Sequence, residues 1–384
     1  MALGVGMRIA AVMVLAAGLG RAFVPAQAQA EPYLMVREGA KCSDCHTNLT
    51  GGGKRTAFAQ IHAHDILHDL QILPIPPGTK PFTGEVTPYV SIGGDLRTRA
   101  TLTFRDRPTA AGTVDGDRAF RRDLRSTDLS VNEFLAYLQV DLYPDILSIY
   151  ADENFNGVAN NREAFALLRG FLPWNTYFKG GRLFPTYGLR VQDDQAFIRA
   201  RSGYTFQNPD EGIEIGTMPG PFFIASSITN GKSGDNDVAA TLNGYAVVTD
   251  VPVVRNVIAG GSLARQTNKR DVYAVYAGSN YGPLTYLAEA DKFEDRNLAT
   301  AGRRADWATY GELDLLLFGW LNLRGTAEFV KVSSANDQTR YAIGAEPFID
   351  RFLQPRIQYR INNGPRDQPL LNQPELWLEL HAFF

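Results

Sequence analysis

Residues 88–105, which read PYVSIGGDLRTRATLTFR, alternate between apolar and polar side chains along one extended segment. One face of this segment runs from Val90 to Phe104 and is mostly apolar, whereas the other face carries Arg97, Arg99 and Arg105. A strand of a soluble β-sandwich is usually about five or six residues long. A much longer strand that is apolar on one face and lined with arginine on the other is typical of a membrane barrel, with lipid outside and water inside.

The same period of two recurs through most of the remaining chain. It is found in residues 134–142, 242–248, 284–290, 313–317 and 321–329, and tight turns such as 144–145 and 319–320 alternate with longer polar connections such as 105–128 and 362–373. Short periplasmic turns and longer outer loops are typical of outer-membrane barrels. We therefore predict an all-β fold over residues 82–384, a transmembrane β-barrel of 16 strands with 14 as the next choice, because single-chain bacterial barrels have even strand numbers.

The carboxyl-terminal residues strengthen this prediction. Residues 376–384 place an apolar residue at every second position and end with Phe384, which resembles the sorting signal of outer-membrane barrel proteins. Residues 183–201 interrupt the strand pattern. They are expected either to fold into the lumen as a constriction, with Arg190, Arg199 and Arg201 facing Asp193 and Asp194, or to form an ordinary outer loop.

The first 30 residues are typical of a secretory signal peptide. Arg8 is followed by an apolar run that ends at Leu19 and by Ala28-Gln29-Ala30, which predicts cleavage before Glu31. The apolar run is too short for a transmembrane helix. The predicted mature chain carries 36 Lys and Arg against 41 Asp and Glu, and this acidic balance argues against a nucleic-acid partner. The expected location is the outer membrane of a Gram-negative bacterium, in contact with its lipid.

The two cysteines of the chain lie in Cys42-Ser43-Asp44-Cys45-His46. C-x-x-C-H is the spacing of covalent c-type haem attachment, in which two thiols bind the ring and the histidine ligates the iron. A structural disulfide, a redox-active C-x-x-C pair and half of a zinc site are alternatives. Zinc would need a second ligand pair, and a thioredoxin-like motif would need a βαβ pattern, so one covalent haem c is the favoured cofactor, with Cys42 and Cys45 as attachment sites and His46 as metal ligand.

Residues 31–81 are predicted to form a small, mostly helical monohaem segment that ends in a proline-rich linker, residues 72–81. About fifty residues is near the lower limit for an independent core, and a haem would supply the missing core. Lys54 and Arg55 are candidates for pairing with haem propionates. The sixth iron ligand is expected among His64, His68, His62 and Met35, in that order, with His64 and His68 on one face of a helix predicted over residues 57–70.

An exported chain with one C-x-x-C-H motif directly before a porin-sized barrel resembles the outer-membrane porin–cytochrome c fusions of iron-oxidising bacteria. The resemblance rests on Cys42 to His46 and on the ending at Phe384, and it covers nearly the whole chain as an architecture. It implies that a small haem domain in or at the barrel carries electrons from an extracellular donor such as Fe(II) to a periplasmic cytochrome.

The leading functional hypothesis is therefore an electron-transfer protein rather than a conventional enzyme. The haem segment would occupy the lumen and pass single electrons between an extracellular redox donor or acceptor and a periplasmic cytochrome or other carrier. A porin that favours anions, with an accessory haem domain in the periplasm, is the alternative, because Arg97, Arg99, Arg105 and Arg324 are expected to line the lumen. A haem enzyme such as a peroxidase is a third reading.

Overall fold

The structure is a computed structural model that describes residues 31–60, 70, 72, 76, 78–106, 122–157, 160–191, 193–231, 238–267, 269–295, 304–331, 337–364 and 372–384. The predicted signal peptide, His62, His64 and His68 lie outside the described residues. In the part of the chain that is described, no helix combines the length and the apolar character needed to cross a membrane.

Sixteen long antiparallel strands, counted over the described residues, form one closed barrel. A three-residue strand, β1 (Glu85–Thr87), precedes them and pairs with the first. The sixteen are β2 (Val90–Asp106), β3 (Arg122–Tyr143), β4 (Leu147–Asn154), β5 (Asn160–Leu168), β6 (Tyr177–Leu183), β7 (Asp210–Thr217), β8 (Phe222–Thr229), β9 (Ala239–Thr249), β10 (Asn256–Gln266), β11 (Arg270–Tyr281), β12 (Leu284–Asp295), β13 (Arg304–Leu317), β14 (Leu321–Lys331), β15 (Gln338–Pro347), β16 (Leu353–Asn363) and β17 (Glu375–Phe383). Each pairs with its neighbours in sequence, and β17 pairs with β2 to close the barrel. The predicted all-β barrel of 16 strands is confirmed.

The strands alternate as the sequence indicates. In β9, Leu242 points outward and is 43% exposed, whereas its neighbours Thr241 and Asn243 are buried inside. Ile213 and Ile343 on other strands are more than 60% exposed on the outer face. A barrel with an apolar outer band and a polar interior is stable in a bilayer, and this architecture places the chain in the outer membrane of a Gram-negative bacterium.

The lumen contains the described amino-terminal residues 31–60, which we call the plug. The plug contains two short helices, α1 (Pro32–Glu38) and α2 (Cys42–Cys45), and residues 57–60 are helical as well. Between α2 and residue 57 the plug is irregular, so the described part is less helical than the sequence predicts.

The plug lies toward the barrel end that has the short turns. Arg37 donates to the carbonyl of Gly282 in the β11–β12 turn, and the Nζ atom of Lys41 donates to the carbonyl of Gly220 in the β7–β8 turn, at 3.2 and 2.6 Å. Asn256, at the start of β10, donates to the carbonyl of Arg37 at 2.6 Å. Since short turns face the periplasm in barrels of this type, this is the periplasmic end.

The connection between β6 and β7, residues 184–209, also folds into the lumen, and we call its described residues the inward loop. It contains the helix α3 (Phe197–Ser202). Backbone N–H groups of the loop donate to lumen side chains, from Leu189 to Glu289 at 2.6 Å and from Phe197 to Glu328 at 2.7 Å. The constriction predicted for residues 183–201 is therefore present, and the alternative of an ordinary outer loop is wrong.

Candidate functional site

The C-x-x-C-H motif forms a single helical turn followed by an extended residue. The backbone N–H of Lys41 donates to the carboxylate of Asp44 at 2.8 Å, which caps the amino end of α2. His46 follows directly, with its N–H bonded to the carbonyl of Cys42 at 3.0 Å, and pairs in an antiparallel bridge with Arg55. The motif therefore places both thiols and the imidazole on one compact unit inside the barrel.

Cys42, Cys45 and His46 line one cavity of about 270 Å³ at the periplasmic end of the lumen. This volume is close to the lower end of the range of roughly 300–1,000 Å³ for ligand pockets. The cavity reaches from the plug to the barrel wall and to the inward loop. Its aromatic lining includes Phe58, Phe206, Phe223, Tyr245, Tyr276 and Phe383.

Both thiols are free. Burial raises the pKa of Cys42, although a hydrogen bond with Tyr245 opposes the shift. Burial, together with the negative charge of Asp44, raises the pKa of Cys45 to about 11. Redox-active C-x-x-C pairs depend on a lowered thiol pKa, so this environment argues against that reading of the motif.

His46 sits in an environment that favours a neutral ring. Burial lowers the pKa of His46 to about 4, and the neighbouring Arg55 acts in the same direction. Its Nδ1 atom is buried and has no hydrogen-bond partner among the described residues. A neutral imidazole with an unpartnered nitrogen in a cavity shared with two free thiols fits the donor set of a c-type haem site.

Three consecutive glycines allow the chain after the motif to pass close to its neighbours. Gly51, Gly52 and Gly53 all have positive φ angles, between 69° and 93°. A Cβ atom on Gly52 would lie 2.5 Å from the ring of Phe206, and one on Gly53 would collide with the hydroxyl of Tyr150. Glycine is therefore required here both by the backbone conformation and by the available space.

The plug is anchored to the wall through Asn48, which is fully buried. Its amide nitrogen donates to both carboxylate oxygens of Glu163 on β5, at 2.9 and 2.8 Å, and its carbonyl oxygen accepts from Lys179 on β6 at 3.0 Å. The backbone N–H of Lys54 donates to the hydroxyl of Tyr150 at 3.1 Å. Sequence reasoning missed Asn48, because its partners lie 115 and 131 residues away along the chain.

The two cations predicted to pair with propionates are in different places. Arg55 lines the cavity and stacks over the ring of Phe383 at 3.6 Å. Lys54 is buried; its Nζ atom donates to the carbonyl of Arg55 at 3.1 Å, and the side chain lines a separate cavity with Gln139 and Asp141. Pairing with propionates stays a prediction for both residues, and the geometry favours Arg55.

Two of the charged residues predicted for the inward loop have other partners than the sequence suggested. Arg199 lies 3.7 Å from Asp194, as expected. Arg190, however, donates to the carbonyls of Gly51 and Phe184 at 2.6 and 2.9 Å, so it joins the inward loop to the plug. Arg201 pairs with Asp295 and Asp306 of the barrel wall rather than with acids of its own loop.

The predicted sixth-ligand residues are only partly covered by the structure. His64, His68 and His62 lie outside the described residues. Met35 lines the cavity, and its sulfur lies 3.5 Å from the Sγ atom of Cys42. His381 on β17 also lines the cavity, and no motif in the sequence marks it. Over the described ranges, no group of three or more His, Cys, Asp or Glu side chains is arranged to hold a metal ion.

Comparison with solved structures identifies the barrel type. A loop L8 deletion mutant of OmpT, an outer membrane protein of Vibrio cholerae, aligns with 77% of this chain and 99% of its own, at a TM-score of 0.57 and 11% identity. The anion-selective porin from Comamonas acidovorans aligns with 77% of this chain and 99% of its own, at a TM-score of 0.53 and 13% identity. The high-pH structure of Pseudomonas putida OprB aligns with 77% of this chain and 94% of its own, at a TM-score of 0.58 and 8% identity. The fold is that of an outer-membrane porin.

The likeness to porins concerns the fold alone, since the identities are low. No protein-family model matches the chain, and no curated protein matches it. The aligned share, 77% of 384 residues, is close to the length of the barrel, residues 82–384.

Proposed function

We propose that this chain is an outer-membrane electron-transfer protein that holds one haem c inside a porin-like barrel. It would pass single electrons between an extracellular donor or acceptor, such as Fe(II), and a periplasmic carrier such as a cytochrome. The observation that carries the proposal is that Cys42, Cys45 and His46 line one cavity within the lumen. Covalently attached haem would supply reversible one-electron chemistry there.

The donor set and the surroundings suit this group. Cys42 and Cys45 would form the thioethers and His46 would ligate the iron, while the aromatic side chains of the lining would surround the ring. Arg55 and Arg190, which both contribute to the lining, are suited to pairing with propionates. Exclusion of water and the charges around the cavity are the levers by which a protein sets the reduction potential.

The position of the cavity gives the two sides different roles. The hydrocarbon layer is about 30 Å thick, and electron tunnelling weakens steeply with distance, so one site cannot connect both surfaces. The cavity lies at the periplasmic end, and the partly exposed Phe58 belongs to its lining. A periplasmic carrier would dock at this end, whereas an external donor or acceptor would approach through the outer half of the barrel.

The lumen arginines do not favour the anion-porin alternative. Arg97 is paired with Asp95 and Glu133, and Arg99 is paired with Glu379. A second lumen cavity contains Arg99, Arg324 and Arg356, but it also contains five carboxylates, Asp193, Glu312, Glu328, Glu346 and Glu379. The described plug lies within the barrel, whereas this alternative places the haem domain in the periplasm.

The test is purification of the full chain from outer membranes of a host that attaches c-type haem. We expect a heat-modifiable band that keeps a haem stain under denaturing conditions, and a c-type spectrum that candidate donors reduce. The matched control replaces both Cys42 and Cys45 by Ser, which should keep the barrel and lose the stain. A folded wild-type barrel without covalent haem, or one that conducts ions as an open porin does, would contradict the proposal.

A further inference from the structure

Two carboxyl groups on β12, those of Glu289 and Asp291, lie beside the cavity that contains the C-x-x-C-H motif, and we call them the β12 pair. They are two residues apart on one strand, so both side chains point into the lumen, where Glu289 is 3% and Asp291 0% exposed. The two side chains are within hydrogen-bonding reach of each other. Neither group has a part in the proposed attachment of the haem.

The β12 pair contacts the lining of the cavity from behind. Oε2 of Glu289 accepts a hydrogen bond from the backbone N–H of Leu189 at 2.6 Å, and Leu189 and the preceding Gly188 are both lining residues. A Cβ atom on Gly188 would collide with Oε1 of Glu289, so the inward loop is packed closely on this carboxyl group. Tyr276, the cross-strand partner of Glu289 on β11, also belongs to the lining. The pair is therefore a direct neighbour of the proposed haem site.

Asp291 lacks the hydrogen-bond donors that a buried carboxylate ion needs. In the described part of the chain, neither of its oxygens accepts a hydrogen bond of good geometry, and the nearby hydroxyl of Tyr187 has no such partner either. The residues that face Asp291 on the neighbouring strands are Ala274 and Ala308, whose side chains carry neither a charge nor a donor. An ion in this position would bear the full cost of leaving water.

The charges around the β12 pair do not neutralise it. Arg199 of α3 is the cation that acts on both carboxyl groups, but it also lies 3.7 Å from Asp194, which competes for its charge. The other titratable groups that face the pair, among the residues described, are phenols on the inward loop, β11 and β13: Tyr187, Tyr276 and Tyr310. A phenol is neutral near pH 7 and cannot balance a carboxylate.

A second pair of carboxyl groups with the same spacing shows what the β12 pair is missing. Glu312 and Asp314 are two residues apart on β13, and Nε of Arg324 lies 3.8 and 3.0 Å from them. The amide of Asn322 donates to Asp314 at 2.8 Å. That pair therefore has a cation and a donor that stabilise its negative charge. In the β12 pair a proton must take their place, because ionised carboxylates only accept hydrogen bonds and two of them in contact cannot both stay ionised.

We propose that the β12 pair is a proton-binding site that takes up a proton when the neighbouring haem is reduced and releases it when the haem is oxidised. When the donor gives one electron to the haem site, the added negative charge raises the affinity of the pair for a proton. The pair then binds one proton from water at a carboxylate oxygen, and it returns this proton to water when the electron leaves to the carrier. The inference rests on the proposed function, because it concerns the haem that Cys42, Cys45 and His46 would hold.

The coupling has a definite sign because it is reciprocal. If reduction raises the proton affinity of the pair, protonation of the pair raises the electron affinity of the haem by the same factor. The midpoint potential should therefore fall as the pH rises through the range in which the pair loses its shared proton, and it should level off on either side. Coupling between two sites is typically about 5–150-fold, so we expect the electron affinity to differ about tenfold or more between the two ends of this range.

The experiment is a redox titration of the full chain with attached haem at a series of pH values. It compares the wild type, the double variant Glu289→Gln with Asp291→Asn, and Glu312→Gln. Glutamine and asparagine keep the size of the side chains and an acceptor for the N–H of Leu189, but they do not titrate. We expect the double variant to lose the pH dependence. Glu312→Gln, the matched control on the neighbouring strand, should keep it.

A second readout follows the proton itself. The reduced-minus-oxidised infrared difference spectrum of the wild type should contain the carbonyl stretching band of a protonated carboxyl group. The band should shift in heavy water, because the proton exchanges with solvent. It should be absent from the double variant and present in Glu312→Gln.

The outcomes separate the inference from the function on which it rests. A wild type whose potential does not change with pH, or a double variant that keeps the wild-type pH dependence, overturns only the inference. Absence of covalent haem from the wild type, seen by haem stain, contradicts the proposed function and the coupling with it. Heat modifiability on the same gel reports whether each barrel has folded. If the double variant does not fold, Glu289→Gln alone should move the pH-dependent range to lower pH, because the remaining carboxyl group no longer faces a like charge; an unchanged range overturns the inference.

Discussion

Replacing Asn48 by Leu should release the plug from the barrel wall. Leucine has a similar volume but lacks the amide group that donates to both oxygens of Glu163 and accepts from Lys179. Glu163 is fully buried. One of its oxygens would still accept a hydrogen bond from the N–H of Phe184 at 3.0 Å, while the other would lose the hydrogen bond from Asn48. Lys179 would keep its ion pair with Glu214 at 2.9 Å.

The size of the effect follows from the charges involved. Hydrogen bonds to charged groups contribute about 1.5–3 kcal/mol each, and a buried charged group left without a partner costs more than a neutral one. Allowing for the partners that remain, the loss is about 3–5 kcal/mol of plug docking. Since each 1.4 kcal/mol is a factor of ten, the ratio of released to docked plug should rise roughly a hundredfold to a few thousandfold.

The assay is single-channel conductance in planar bilayers, in which the occupied lumen of the wild type should give mainly closed traces. The measured quantity is the fraction of time spent in a large-conductance state. Asn363→Leu is the matched control, because Asn363 is exposed and its contact with Thr339 is a long 3.4 Å. An open fraction for Asn48→Leu equal to that of the control, with both barrels folded, would refute the anchoring role of Asn48.

Two further predictions concern neighbouring parts of the lumen. Gly52→Ala should lower the stability of the folded protein by about 2–4 kcal/mol, because the new methyl group meets Phe206 and the backbone has a positive φ of 81°. A double-mutant cycle with Phe206→Leu, measured by urea unfolding, should give a coupling energy of about 1–3 kcal/mol. Strict additivity of the two mutations would argue against the steric contact. Burial raises the pKa of Asp194 to about 6, against the opposing effect of Arg199, whereas the unfolded chain has a pKa of about 3.9. The folded state therefore binds the proton more tightly, and this contribution of at most about 3 kcal/mol is complete below about pH 4 and lost as the pH rises to about 6. Asp194→Asn should remove it, so unfolding midpoints of wild type and variant should diverge between pH 4 and 6, and a pH-independent difference would count against this account.

The barrel is predictable from the sequence because each strand repeats the same physical contrast. In β2, the face toward lipid is apolar and the face toward the lumen carries Arg97 and Arg99. The two-residue period is therefore visible in the sequence even where the ends of a strand cannot be located from it. Its strand number follows from counting these segments and from the requirement for an even total.

The candidate site was predictable only in part. The spacing of Cys42, Cys45 and His46 is a local signal, and the structure places all three on one cavity. The partners of Arg190 were not predictable, since a carbonyl such as that of Gly51 carries no side-chain signature. The position of His381 in the cavity was not predictable either. In the sequence it is one polar residue facing the lumen from a strand, and its distance from the motif depends on where the plug lies in the barrel.

The bond network between plug and wall also has a consequence for the order of folding. Glu31 pairs with Arg356, a residue 325 positions later in the chain, and Arg190 reaches back 139 positions to Gly51. Contacts this distant in sequence form late, because the chain between them must first be brought together. The plug is thus synthesised before the strands that surround it but is among the last parts to reach its native neighbours, and enzymes that act on its side chains can reach them during that interval.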